Sequence, residues 1–211
     1  MELNGLTINF LGDSITEGYG VENPQNIYHQ IIKEKYNLKH AYNYGISGTR
    51  IARQNAPSEE CPRNDLYFGL RSEIMQADAD VIVVFGGTND YAHGDAPFGN
   101  LDDEDIYTFC GGVNSLINNL LKNFKKAKIV FMTPLHRTEE TNPSQPDGKI
   151  LEDYAKAVLE ICKNKGIPVI DLFGINPLDP YDTSLVPDGL HPNDNGHKIM
   201  AEVIASELLK I

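Results

Sequence analysis

"NFLGDSITEG", residues 9 to 18, runs from an apolar stretch through Gly12, Asp13 and Ser14 to Gly18. An apolar run this short, closed by glycine, suits a strand better than a helix. Asp and Ser immediately after it suit the first free N–H groups of a helix. The stretch therefore predicts a strand that hands directly to a helix, the opening of a βα unit.

The same pattern recurs along the chain. With "LTINFLG" (6–12), the runs "HAYNYGI" (40–46), "DVIVVFGG" (80–87), "KIVFMTP" (128–134) and "IPVIDLF" (167–173) make five predicted strands. Helical stretches are predicted between and after them, at 25–36, roughly 65–77, 102–124, 148–166 and 193–210. The third begins in the acidic run "LDDEDIY" (101–107) and is followed by lysines, which matches a helix dipole. Strand and helix alternate, and the later strands are apolar nearly throughout, as a parallel sheet covered on both faces requires. The expectation is a doubly wound α/β sandwich, with residues 1–211 forming one domain, since a single core can still grow at this length.

The longest irregular pieces are 50–64, 91–101, 135–147 and 174–192. In such a fold they gather at the carboxyl edge of the sheet, where ligands bind. A formal net charge of −12 opposes nucleic acid and anionic membrane surfaces as partners, because both need a positive field. Cys61, Cys110 and Cys162 are odd in number and lack metal-ligand spacing, so they are expected to be free thiols in a reducing compartment. "MELNGLTINF" has no cationic segment before a long apolar one, and no apolar run approaches about 18 residues, so membrane insertion is not expected and the cytoplasm is the default location.

Four short segments carry the chemistry: "GDSIT" (12–16), "GISGTR" (45–50), "GGTND" (86–90) and "DGLHPN" (188–193). A serine hydroxyl is a poor nucleophile until a base takes its proton, a task suited to histidine. The histidine needs a carboxylate to fix its tautomer and stabilise the imidazolium. Ser14, His191 and Asp188 can fill these roles, and the last two are close enough in sequence for one turn to pair them. Oxyanion donors are available in the Ser14 N–H, the Gly48 N–H and the Asn89 side-chain amide. Gly48 suits the task because a residue without Cβ admits substrate close to the main chain.

These blocks resemble the GDSL-like, or SGNH, hydrolases, named for Ser, Gly, Asn and His in four ordered segments. The resemblance covers essentially the whole chain, with Ile15 standing where the family's name has Leu. It implies a flavodoxin-like, three-layer α/β/α sandwich with a five-stranded parallel sheet. It also implies Ser14 as nucleophile, Gly48 and Asn89 as oxyanion donors beside the Ser14 N–H, and Asp188 with His191 as acid and base. No metal or organic cofactor is implied. Relatives that share these segments include carbohydrate O-acetylesterases and lysophospholipase-like esterases.

Other residues are candidates of a different order. Tyr19, Arg50 and Tyr91 follow three of the blocks and are candidate substrate contacts. His136 and Arg137 begin a long loop at a strand's carboxyl end and could reach over the site. His197 is expected to be structural or solvated, and His29 and His40 to have no chemical role. The expected function is a serine hydrolase cleaving small carboxylic esters, above all an acetyl group on a carbohydrate or similar polar alcohol. Longer-chain lysophospholipase or acyl-thioesterase activity is the alternative. A non-catalytic binding module holding phosphate at the helix after Ser14 would be crowded by Asp13, Glu17, Asp90 and Asp188, and a metal-dependent phosphodiesterase would be sensitive to chelators.

Overall fold

A computed structural model describes residues 1–57, 59 and 66–211. Its strands are β1 (Thr7–Gly12), β2 (His40–Gly45), β3 (Val81–Phe85), β4 (Lys128–Met132) and β5 (Val169–Ile170). They pair in the order β2-β1-β3-β4-β5, every pair parallel. This is the flavodoxin-like order. The helices are α1 (Ser14–Glu17), α2 (Tyr28–Tyr36), α3 (Phe68–Ser72), α4 (Thr88–His93), α5 (Phe109–Asn123), α6 (Leu151–Asn164), α7 (Leu172–Ile175) and α8 (Asp194–Lys210).

The two-residue period of the strands decides which layer each side chain enters. On β3, Val81, Val83 and Phe85 face one core, while Ile82 and Val84 face the other. On β4, Val130 and Met132 join the first, and Ile129 and Phe131 the second. The first core is closed by α2 and α8 through Tyr28, Ile32, Met200, Ile204 and Leu208. The second is closed by α5 and α6 through Val113, Leu116, Leu120, Val158 and Ile161. The three-layer sandwich expected from the sequence is the observed architecture.

Several boundaries differ, each for a local reason. Helix α5 begins at Phe109 and not at 102, because Thr108 caps it by accepting from the Gly111 N–H. The acids before it make turns: Asp103 accepts from the Asn100 N–H and Asp105 from the Tyr107 N–H. The acidic run is thus a capped loop and not the helix's first turn. The fifth strand stops after Ile170 because Asp171 accepts from the Gly174 N–H and starts α7. Of the stretch predicted helical at 65–77, only Phe68–Ser72 is α-helix, and residue 65 lies outside the described residues. The loop predicted at 91–101 starts inside α4. Cys110 and Cys162 are buried free thiols, pushed up to about 12 by burial, and Cys61 lies outside the described residues. Among the described residues no helix is long and apolar enough to cross a membrane.

Helix α1 lies hard against the ends of β1 and β2. A Cβ at Gly45 would collide with the α1 backbone at Glu17, so the glycine is required for this close approach. Arg71, on α3 and 3% exposed, binds the junction from below. Its Nε donates to the Leu66 carbonyl at 2.8 Å, Nη1 to the carbonyls of Gly12 (3.0 Å) and Tyr44, and Nη2 to Thr49 Oγ1 at 2.7 Å. One guanidinium thereby joins the carboxyl ends of β1 and β2 to the loop that follows β2. Arg71→Leu should leave these buried oxygens unpaired and lower stability by about 3 kcal/mol or more. Urea unfolding monitored by circular dichroism would register the shift, and an unchanged midpoint would contradict this role.

Candidate active site

The strand order reverses between β1 and β3, and a crevice opens at their carboxyl ends. Ser14 stands one residue beyond Asp13 at that crevice, as the first residue of α1. Its backbone N–H belongs to the helix's first turn and has no intrahelical acceptor. Asp13 caps the helix instead, its Oδ1 accepting from the Ile15 N–H at 3.1 Å. The cap and the serine are therefore neighbouring residues with separate tasks.

Ser14 Oγ lies 2.9 Å from His191 Nε2. His191 Nδ1 lies 2.7 Å from Asp188 Oδ2. Asp188 Oδ1 also accepts from the backbone N–H groups of Leu190 (3.0 Å) and His191 (2.7 Å). One carboxylate thus shapes the turn and holds the imidazole. With Nδ1–H donating to Asp188, Nε2 carries the lone pair that faces the serine. Partial burial raises the Asp188 carboxyl, but hydrogen bonds from the His191 backbone and ring and from Leu190 outweigh it, so the group is held below its ordinary value and stays ionised.

The loop after β2 is fixed from three sides. Gly48 adopts φ +73°, the left-handed region that favours glycine. Beside it, the Ser47 N–H donates to Glu17 Oε2 at 2.8 Å, and the Ser47 hydroxyl donates to the same oxygen. Asn89 Nδ2 donates to the Thr49 carbonyl at 3.0 Å. That bond uses one of the two amide protons and orients the other. Asp90 accepts from the N–H groups of Ile51 (3.0 Å) and Ala52 (2.9 Å). Gly48 and Asn89 are thus tied to one another through Thr49 and Asp90.

The other candidate contacts divide. The Tyr19 ring, 57% exposed, lies 4.5 Å from the His191 ring centroid at the mouth of the site. Arg50 is buried and donates from Nη2 to the His93 carbonyl at 2.8 Å. Tyr91 is buried, and its single hydroxyl proton is shared between the carbonyls of Glu139 (2.6 Å) and Asn142 (2.8 Å). His136 sits between Glu140, 2.9 Å from Nδ1, and the Phe173 carbonyl, 3.0 Å from Nε2, so both ring nitrogens are engaged internally. Arg137 Nη1 donates to Thr88 Oγ1 at 3.2 Å, next to Asn89. Burial lowers the Arg137 guanidinium below its ordinary value, opposed by Tyr91, Glu139, Asp188 and Asp13.

His197 and His29 are buried, and burial lowers both to about 4. His197 Nδ1 accepts from the Tyr28 N–H, and His29 Nε2 donates to the Thr16 carbonyl. Neither reaches Ser14. Three supporting groups escaped the sequence reading: Arg71, Glu17 and Asp90. The two acids stand inside the quoted segments, but sequence shows only their charge. Arg71 carries no signal at all, because its partners Gly12 and Tyr44 are distant in the chain.

The chain belongs to the GDSL-like lipase/acylhydrolase family, whose model matches residues 10–199, a family of carboxylic ester hydrolases. It is 28% identical over 94% of its length to an acetylxylan esterase from Xylanibacter ruminicola, of which it covers 42%. It is 25% identical over 59% of its length to a GDSL esterase/lipase from Oryza sativa subsp. japonica, of which it covers 51%. The chain therefore spans about half the length of the curated relatives it matches. A solved structure of a protein from Lactobacillus plantarum, 28% identical, superposes with a TM-score of 0.78 and covers 98% of each chain.

Asp13 links the site to pH. Burial pushes its carboxyl up to about 7, against hydrogen bonding from Ile15 and the charge of Arg71, while Asp90 adds a further rise. A folded value above the unfolded one means that the unfolded chain loses its proton first. The cost therefore builds as pH rises from about 4 to about 7 and is absent in more acid solution. Asp13→Asn keeps an oxygen for the Ile15 N–H but removes the charge. Relative to this variant, the wild type should lose up to roughly 4 kcal/mol of stability across that window. Parallel melting curves for the two proteins between pH 4 and 8 would rule this out.

Proposed function

We propose that the chain hydrolyses small carboxylic esters, above all acetyl esters of a carbohydrate or similar polar alcohol, through an acyl-enzyme on Ser14. The observation that carries this reading is the continuous chain Ser14 Oγ, His191 Nε2 (2.9 Å), His191 Nδ1, Asp188 Oδ2 (2.7 Å). His191 takes the serine proton as Oγ attacks the carbonyl carbon, and Asp188 stabilises the imidazolium. The tetrahedral oxyanion meets the N–H groups of Ser14 and Gly48 and the second amide proton of Asn89. His191 then protonates the departing alkoxide. Water enters, gives its proton to the same nitrogen and releases the acid, restoring Ser14.

Two features favour a short acyl group. The residues beside Ser14, among them Ile15, Phe85, Leu135 and Leu190, line only a small cleft there. A cleft this small suits an acetyl group better than a long acyl chain. The similarity to an acetylxylan esterase points the same way. Burial of Asp13, which keeps it largely protonated below about 7, also limits the negative charge beside the developing oxyanion.

A fluorophosphonate should modify Ser14, as read by intact mass and peptide mapping. Ser14→Ala should take no label, and His191→Ala should label far more slowly. Both variants should lose at least about 10³-fold in kcat on an acetyl ester, with chelator having no effect on the wild type. Asn89→Ala should lose about 10²- to 10³-fold, mainly in kcat. Chelator-sensitive turnover, or faster turnover of long-chain than of acetyl esters, would count against the proposal.

A further inference from the structure

We propose that Arg137 receives a carboxylate on the alcohol part of the substrate, so that the favoured ester is that of an acidic sugar or a comparable carboxylate-bearing alcohol. This rests on the esterase reading of Ser14 and specifies what its site accepts.

Arg137 is built into the rim and not left on a free loop. The next residue, Thr138, donates its N–H to the Gly189 carbonyl at 2.9 Å, inside the turn that joins Asp188 to His191. On its other side the guanidinium donates to Thr88 Oγ1 and stands 5.8 Å from the centroid of the Tyr91 ring. Tyr91 in turn latches the following turn through the carbonyls of Glu139 and Asn142. The cation is thus held between the Asp188–His191 turn and the segment that carries Asn89.

Its donors are nevertheless largely unused. Nε is buried without a hydrogen-bond partner, and no carboxylate of the described residues forms an ion pair with the guanidinium. Arg71 is the contrast, since its nitrogens donate to oxygens of Gly12, Tyr44, Thr49 and Leu66. A partly desolvated cation that no carboxylate contacts directly is costly, and an anion within hydrogen-bond reach of it relieves that cost. The guanidinium fork matches a planar carboxylate through two parallel N–H bonds.

Space for the ligand adjoins it. Arg137 lines a cleft of about 250 Å³ with Tyr91, His93, Asn142, Ser144 and Gln145, a wall of mixed polar and apolar surface near the lower size limit of small-ligand sites. A single sugar ring suits such a cleft better than an acyl chain. Glu139 also lines the cleft, and Asp188 acts on Arg137 through its charge. This negative surround disfavours a phosphate dianion and leaves a carboxylate monoanion as the better match.

The test compares kcat/KM on matched substrates: mono-O-acetyl esters of a methyl glucoside, of the corresponding methyl glucuronoside and of the glucoside 6-phosphate. Wild type should favour the glucuronoside over the glucoside by about tenfold, mainly through KM, with the preference shrinking at high salt. The ratio should fall to about one or below in Arg137→Met and take an intermediate value in Arg137→Lys. Melting temperatures identify a variant that has not folded, in which case the wild-type ratio and its salt dependence decide. A wild-type ratio near one, a ratio preserved in Arg137→Met, or a stronger preference for the phosphate would overturn the proposal. Calorimetric binding of the unesterified methyl glucuronoside, weakened in Arg137→Met, tests the anion site separately. If neither ester is cleaved while that binding persists, the esterase reading fails and the carboxylate site stands.

Discussion

All five strands run in one direction, so every strand delivers its following loop to the same rim of the sheet. The rest of the site depends on that constraint. Ser14 leaves β1, Gly48 leaves β2, Asn89 leaves β3 and Arg137 leaves β4, and all arrive at one edge although they are spread over most of the chain. The reversal of strand order between β1 and β3 opens the crevice, because their connections cross to opposite faces. The last loop brings Asp188 and His191 over it from the far end, and α8 closes the first core behind them.

Convergence at a rim gives proximity but not geometry. The geometry comes from buried polar groups that leave the loops few alternatives. Arg71 joins the ends of β1 and β2 to Thr49, Glu17 grips Ser47, and Asn89 and Asp90 draw the loop of residues 49–52 onto α4. Each bond pairs a group whose unmet burial would cost free energy, so alternative loop positions are penalised. The cost of this arrangement is visible at Asp13 and Asp90, whose carboxyls burial pushes up to about 7 and about 6. Asp90 offsets part of it through the backbone N–H groups of Ala52 and Ile51. Arg137 departs from this rule, since its donors are held in place but mostly unmatched by protein acceptors.

The strands and longer helices were legible because their signals are local. The unbroken apolar runs at 81–85 and 129–132 admit little but a strand buried on both faces, and α6 and α8 fall within a few residues of their expected ends. The errors fall where short polar side chains choose between helix and turn. Asp103, Asp105, Thr108 and Asp171 each bind a nearby backbone N–H, and that choice moved the start of α5 and the end of β5. At the site, the spacing of Asp188 and His191 made their pairing a local matter. Arg50, Tyr91 and His136 stand next to the site in sequence, yet their polar atoms engage internal partners.

By itself, then, the amino-acid sequence determined the alternation of strands and helices, the parallel sheet this implies and the four segments placed at its edge. Hydrophobic period and residue chemistry act over a few residues and need no knowledge of the rest of the chain. Only the tertiary structure decided that Ser14 lies within hydrogen-bond reach of His191, and that Arg71, Glu17 and Asp90 support the loops. It alone separated the satisfied Arg71 from Arg137. Those facts depend on which distant carbonyls and carboxylates folding brings within about 3 Å of a given donor. Local pattern carries no record of that distance.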